Sequence, residues 1–318
     1  MSRQRSMISI ITPVFNEQDN VEPCARAVAE VMRALPDYDY EHIFADNAST
    51  DETVEALRAL AEVDPHIKVI VNSRNVGPFR NAANAMRSAS GDAVVPMLAV
   101  DLQDPPEVIT QFVWLWEQGY YVVYGVRTNR NETTGLKIAR GLYYRLLRWF
   151  GSDFQAPAHA GEFALLDAAV VGSILSVDDH YPYIRGLIAQ TGAKYATVSY
   201  TWAPRIIGRS KNNWFQLVDQ GANGFVTTSR APARMALLVG FAAALAGILY
   251  GLAALVWLAF FSREGTGAGI PTLIVGVFVL GGLQLFFIGL IGEYLLSVHG
   301  QVRRAPPMFE TERINFGQ

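Results

Sequence analysis

Two stretches free of charged side chains constrain this chain more than any other feature. Residues 235–262, "MALLVGFAAALAGILYGLAALVWLAFFS", and 270–292, "IPTLIVGVFVLGGLQLFFIGLIG", are apolar on every helical face. Each exceeds the roughly 20 residues that a helix needs to cross a bilayer core. A buried hairpin in a soluble protein competes with this reading, but core helices normally keep a polar stripe. Two transmembrane helices are therefore expected, about 235–261 and 271–297, joined by "REGTGAG" with one charge of each sign. Neither lies at the N-terminus, and "MSRQRSMISIIT" lacks the pattern of a cleavable leader. Arg230 and Arg234 precede the pair, and His299, Arg303 and Arg304 follow it. The positive-inside rule then predicts a multi-pass protein of the cytoplasmic membrane, with the large N-terminal region and both termini in the cytoplasm.

The first 130 residues alternate β-rich runs with helical patterns. "MISIITPVF", "YEHIFADNAS", "IKVIVNS" and "DAVVPMLAVD" read as strands. Between them, "EQDNVEPCARAVAEVMRAL", "DETVEALRALAEV" and "FRNAANAMRSAS" read as helices, the second begun by Ser49 or Thr50. This alternation predicts an α/β domain with a mostly parallel sheet. Such sheets bind ligands beyond the carboxyl ends of their strands. Glu17, Asp46 and Asp101 all fall at such ends. One acid there would read as a cap or turn residue, whereas three at corresponding positions predict a site. The pattern loosens over 131–160, where "GLKIARGLYYRLLRWF" reads as a basic, aromatic helix, and returns to strand and helix over 161–203. The expected organisation is a catalytic domain over 1–211, a juxtamembrane amphipathic region over 212–234, the spans over 235–298 and a cytoplasmic tail over 299–318.

The net charge of −3 gives no basic footprint, so no nucleic-acid partner is expected. The five histidines show no metal-ligand spacing, and the lone Cys24 excludes an intramolecular disulfide.

Five segments, "ITPVFNEQDNV", "ADNASTD", "SRNVG", "VDLQDPPE" and "PRIIGRSK", stand in this order before the two apolar runs. In this the chain resembles glycosyltransferase family 2, and within it the polyprenyl-phosphate glycosyltransferases related to dolichol-phosphate mannose synthase. The resemblance implies a GT-A (Rossmann-like) catalytic domain with an interfacial helix and a two-helix membrane hairpin. It implies an inverting transfer of one sugar from a nucleotide diphosphate, preferably uridine diphosphate, to a membrane polyprenyl phosphate. It also implies a homo-oligomer, a tetramer in similar proteins.

The resemblance gives each motif a role. Pro13, Phe15, Glu17, Asp46 and Asn75 would hold the nucleotide sugar, with Asp46 accepting from the base. Asp101 and Gln103 would hold Mg²⁺ or Mn²⁺ against the diphosphate, offsetting leaving-group charge as a Lewis acid. "GEF" makes Glu162 the candidate acid beside the acceptor. A polyprenyl monophosphate with a second pKa near about 6 is mostly dianionic and already nucleophilic. Glu162 is therefore expected to orient acceptor or sugar rather than to remove a proton. Two anions in one site require cations, and Arg127, Arg130, Arg185, Arg205, Arg209, Ser210 and Lys211 are the candidates for the phosphates. Asp104 and Glu107 have another reading, "DPPE" as a helix start with Asp104 its N-cap and Pro105 its first residue.

Three positions depart from the family pattern. Ala99 replaces the first acid of Asp-x-Asp, Asn47 replaces a second Asp after Asp46, and "GPFRNAAN" follows "SRNV". A catalytically silent membrane scaffold of the same fold, or a polysaccharide-synthase-like transferase, is the alternative. Retention of Asp46, Asp101, Gln103 and Glu162 argues against the scaffold, and the absence of a Gln-x-x-Arg-Trp motif against the synthase.

Overall fold

The computed structural model describes residues 6–128, 157, 160–177, 182–203, 231–260, 269–302 and 308–317. Strand and helix alternate as β1 (Ser6–Val14), α1 (Val21–Arg33), β2 (Tyr38–Asp46), α2 (Thr53–Val63), β3 (Ile67–Asn72), α3 (Pro78–Met86), β4 (Ala93–Val95) and α4 (Val108–Glu117). There follow β5 (Val122–Arg127), β6 (Ala160–Asp167), α5 (Ala168–Leu175), α6 (Ile184–Gln190) and β7 (Tyr195–Tyr200). Two long helices, α7 (Ala231–Phe260) and α8 (Gly269–Val302), precede a last strand, β8 (Glu310–Ile314).

The strands form one sheet in the order β7-β5-β6-β4-β1-β2-β3-β8. The pairs β1–β2, β1–β4, β2–β3 and β5–β7 are parallel. β6 runs antiparallel to both β4 and β5, and β8 antiparallel to β3. Alternation along the strands divides the core between two faces. Ile8, Ile10 and Phe44 pack with α1, α2 and α4 on one face. Ile11, Ile43 and Ala45 pack with α3, α5 and α6 on the other. The α/β class and the mostly parallel sheet follow the pattern read from the sequence.

Several boundaries differ, each for a local reason. β4 stops at Val95 rather than running to Asp101, because Pro96 has no N–H for the ladder. The chain still runs beside β1, with Leu98 N donating to Ile11 O at 2.8 Å. α2 begins at Thr53, not at Ser49 or Thr50, whose polar groups are taken by the loop after β1. α4 begins at Val108 with Glu107 in the cap position, so Asp104 is not its N-cap.

The tail, for which the sequence pattern predicts no strand, completes the sheet as β8 beside β3. Ser73 N donates to Phe309 O (3.0 Å), Arg58 pairs with Glu312 (2.6 Å), and Asn315 Nδ2 donates to Ala61 O and Ile67 O (2.7 and 2.9 Å). β8, from beyond the two long helices, thus lies in the same sheet as the strands before them. The stretch Val279–Leu296 of α8 is long and apolar enough to cross a membrane, and none of it is buried against the chain. Val239–Ala253 of α7 is a shorter apolar stretch. The helices expected over 135–150 and 212–229 lie outside the described residues.

Candidate active site

The directions of the strands decide where the chemistry collects. β1 to β5 and β7 end at one edge of the sheet, and β6, running the other way, begins there. Pro13, Phe15 and Glu17 at the end of β1, Asp46 at the end of β2, and Asn75 beyond β3 reach this edge. So do Asp101 and Gln103 beyond β4, Arg127 at the end of β5 and Glu162 near the start of β6.

Three loops at this edge hold non-glycine residues in the left-handed region: Asn16 (φ 54°), Ala48 (φ 63°) and Leu102 (φ 56°). Such residues cost about 1–3 kcal/mol each and persist where surrounding contacts fix them. The contacts are explicit. Asn16 N donates to Ser49 Oγ (2.8 Å), Thr50 N to Asn16 Oδ1 (2.7 Å), Glu17 N to Thr53 Oγ1 (2.9 Å) and Glu52 N to Gln18 Oε1 (3.0 Å). Glu17 itself accepts from Asn20 Nδ2 at 2.6 Å.

Asp46 is fully buried. Its Oδ2 accepts from Ser49 N at 3.0 Å, and its Oδ1 has no partner. Burial raises its pKa above the ordinary carboxylate value, against opposing hydrogen bonds from Ser49 and the Ala48 backbone. Asn47 explains one departure from the family pattern. Its Nδ2 donates to Asn75 Oδ1 (3.0 Å) while its Oδ1 accepts from Val76 N (2.9 Å). A carboxylate could only accept, so aspartate would lose the tie to Asn75. Asn75 Oδ1 also accepts from Gly77 N, and Gly77 takes a φ of 84° as Pro78 opens α3.

The turn after β4 is closed by Leu102 N donating to Ala99 O (3.1 Å) and Gln103 N to Asp101 Oδ1 (3.2 Å). Asp101 and Gln103 are half-buried. Among the described residues no three His, Cys, Asp or Glu side chains gather to hold a metal. One carboxylate and one amide oxygen are hard donors of the right kind for Mg²⁺ or Mn²⁺. They fit a cation that arrives with diphosphate oxygens, rather than one held by protein alone.

Asp104, only 3% exposed, is the centre of a polar knot. Arg127 donates to it through Nε (3.1 Å, to Oδ1) and Nη2 (3.0 Å, to Oδ2), and the Tyr200 hydroxyl donates to Oδ1 (2.5 Å). The Arg127 guanidinium also lies 5.1 Å from the Trp202 ring. The fork of Arg127 is thus already on a carboxylate, so the structure gives this residue a partner the phosphate assignment did not foresee. Arg185, in the first turn of α6, is near enough to Tyr124 for its charge to oppose the burial that raises that phenol's pKa. Arg130, Arg205, Arg209, Ser210 and Lys211 lie outside the described residues.

Solved structures carry the same architecture. The mannosyltransferase PcManGT from Pyrobaculum calidifontis, in complex with GDP-Man and Mn²⁺, superposes with a TM-score of 0.51 at 19% identity. The match covers 95% of this chain and 89% of that one. The fold is GT-A. Residues 9–175 match glycosyl transferase family 2, and the chain belongs to that family: it is a glycosyltransferase. It is 31% identical over 299 residues to the SfII prophage-derived bactoprenol glucosyl transferase of Shigella flexneri, covering 94% of this chain and 96% of that one. It is 32% identical to the uncharacterized glycosyltransferase YkcC of Bacillus subtilis, covering 94% and 91%.

Proposed function

We propose that the protein moves one sugar from a nucleotide diphosphate, uridine diphosphate by preference, to a polyprenyl phosphate in the membrane, with inversion. The observation that carries the donor half is Asp46: a buried carboxylate oxygen without a partner, at the sheet edge where ligands bind. An N–H on the edge of a uracil ring satisfies such an acceptor. The acceptor half is supported by the full-length similarity to a bactoprenol glucosyl transferase and by the exposed apolar length of α8.

Asp101 and Gln103 would hold Mg²⁺ or Mn²⁺ together with the diphosphate, and the cation would offset charge on the leaving group. The chain's own groups do the rest. Pro13, Phe15, Glu17 and Asn75 line the nucleotide side. Glu162, half-buried at the start of β6, orients the incoming phosphate or a sugar hydroxyl. Arg130, Arg185, Arg205, Arg209, Ser210 and Lys211 offset the repulsion between two anions. In this reading the enzyme is an oligomer of the cytoplasmic membrane, spans it twice, and keeps its catalytic domain on the cytoplasmic side.

The test incubates the full-length protein and polyprenyl phosphate with a panel of labelled nucleotide sugars, with and without Mn²⁺. Metal-dependent lipid-linked label from one donor is expected, and Asp101→Ala should abolish it in a protein that still folds. Absence of label from every donor overturns the reading.

A further inference from the structure

We infer that Asp104 is a positioning residue that fixes the turn bearing Asp101 and Gln103, and that Arg127 and Tyr200 hold it in place. The inference rests on the proposed role of that turn in binding a cation with the diphosphate. Leu102 puts the turn in a left-handed conformation that a leucine does not favour by itself. The turn is therefore held from outside, and the structure shows by what. Asp104 is buried, and a buried carboxylate is stable only when paired and hydrogen-bonded. Its donors come from β5 and β7, the strands beyond β6 from β4. Those two strands are themselves locked at this end, Thr128 donating to Tyr200 O through N (2.9 Å) and Oγ1 (3.0 Å). Ala203 N donates to Gln103 O at 3.0 Å, a second tie from beyond β7 to the same turn.

The knot also backs the acceptor side. The Tyr200 ring packs edge-on against Phe163 at 5.6 Å, and Phe163 adjoins Glu162. Space for that ring requires Gly125, where a Cβ would sit 2.8 Å from Tyr200 Cε1 and 2.8 Å from Phe163 O. Burial, and then the charge of Asp104, holds the Tyr200 phenol well above its ordinary pKa, so it remains a donor. Placement of the cation ligands thus depends on residues that need not touch substrate.

The experiment measures Mn²⁺ binding by electron paramagnetic resonance in the presence of uridine diphosphate. It also measures metal-free uridine diphosphate binding by calorimetry, both on the full-length protein. The variants are Tyr200→Phe, Asp104→Asn and, as reference, Asp101→Asn. Tyr200→Phe removes one hydroxyl and keeps the ring packing, so it carries the test even if Asp104→Asn does not fold. Loss of a hydrogen bond to a buried charge should weaken Mn²⁺ binding about tenfold in Tyr200→Phe and more in Asp104→Asn, with metal-free nucleotide affinity within about twofold. Unchanged Mn²⁺ affinity in Tyr200→Phe, while Asp101→Asn abolishes it, overturns the positioning role alone. An equal loss of metal-free nucleotide binding overturns it too, as general loosening of the site. Unchanged Mn²⁺ affinity in Asp101→Asn overturns the cation reading beneath it.

Discussion

Asp46→Asn sets a binding function against a folding cost, and the structure sizes both. The side chain is fully buried, with Oδ2 on Ser49 N and Oδ1 without a partner. Burial raises its folded pKa above the unfolded value, so the folded protein binds that proton more tightly. At neutral pH the ionised group therefore opposes folding, and the opposition fades as pH falls through the raised folded pKa toward the unfolded value of about 3.9. Asparagine keeps the shape and an oxygen for Ser49 N while removing the charge. An unsatisfied buried polar group costs about 1–3 kcal/mol and a charged one more, so trading the orphan carboxylate oxygen for a neutral, still unpaired amide should gain about 1 kcal/mol or more. In a domain of this size each kcal/mol moves Tm by about 2–4 °C, so the unliganded variant should melt at least about 2–4 °C higher. Under the proposed function the same change removes a charge-assisted hydrogen bond to the base, worth about 1.5–3 kcal/mol, so nucleotide affinity should fall roughly tenfold to a hundredfold. Thermal melts of the full-length protein with and without uridine diphosphate, and calorimetric titration, read both effects. The gain in Tm should shrink as the buffer is made acidic. A variant that melts lower than its parent while binding uridine diphosphate equally well would refute the assignment of the orphan oxygen to the nucleotide.

Two further predictions concern the far edge of the sheet. Glu41, 1% exposed, accepts from Lys68 Nζ (2.5 Å), Ser9 Oγ (2.5 Å) and Ser90 N (2.6 Å). Burial pushes its carboxyl up, but the hydrogen bonds from Lys68, Ser9 and Ser90 outweigh it and hold the pKa below the usual value. Its stabilisation is thus complete above the unfolded pKa of about 4.3 and lost as pH falls through the folded one. Glu41→Gln should cost about 3 kcal/mol at neutral pH and flatten the acid limb of a plot of Tm against pH. Gly91→Ala should cost about 1–3 kcal/mol in urea unfolding, because its Cβ would lie 2.6 Å from Ser9 N and 2.8 Å from Ala93 O, both backbone atoms.

What the sequence made legible was whatever depends on local pattern. Alternation in "MISIIT" and "EHIFAD" placed β1 and β2, and the ends of those strands placed Glu17 and Asp46. Asp101 reached the correct edge although the strand beneath it was drawn six residues too long. A proline breaks a ladder without changing the apolar pattern around it. The contacts made across long separations left no such trace. Asp104 and Tyr200 are 96 residues apart, and nothing in "DPPE" distinguishes a cap from the centre of a buried ion pair. Ser49 and Thr50 read as caps because their hydroxyls suit one, yet those groups close the loop after β1 instead. β8 was invisible for a different reason: "ETERI" carries three charged residues and one apolar one, as an edge strand facing solvent can.

The direction of β6 brings a further acid to the edge that carries Asp46 and Asp101. Its eight residues span about 26 Å at roughly 3.3 Å each. Had β6 run parallel to its neighbours, Glu162 would lie at the opposite edge from Asp101. Running antiparallel, it delivers Glu162 to the edge where β4 and β5 end, so that acid comes from the start of a strand while Asp46 and Asp101 come from the ends of others or just beyond them. The return of the chain after α8 acts at the other end of the same edge. Six peptide steps separate Val302 from Met308, so the strap that begins there lies within about 22 Å of the end of α8. Phe309 O then holds Ser73 N, two residues before Asn75. The loop that bears Asn75 is thereby linked, through one hydrogen bond and a short run of chain, to the end of α8, whose Val279–Leu296 stretch is apolar and unburied. The other connection, from Ala203 to Ala231, could span up to about 100 Å at the same rise. The short connection therefore sets how far the Asn75 loop can stand from the end of α8.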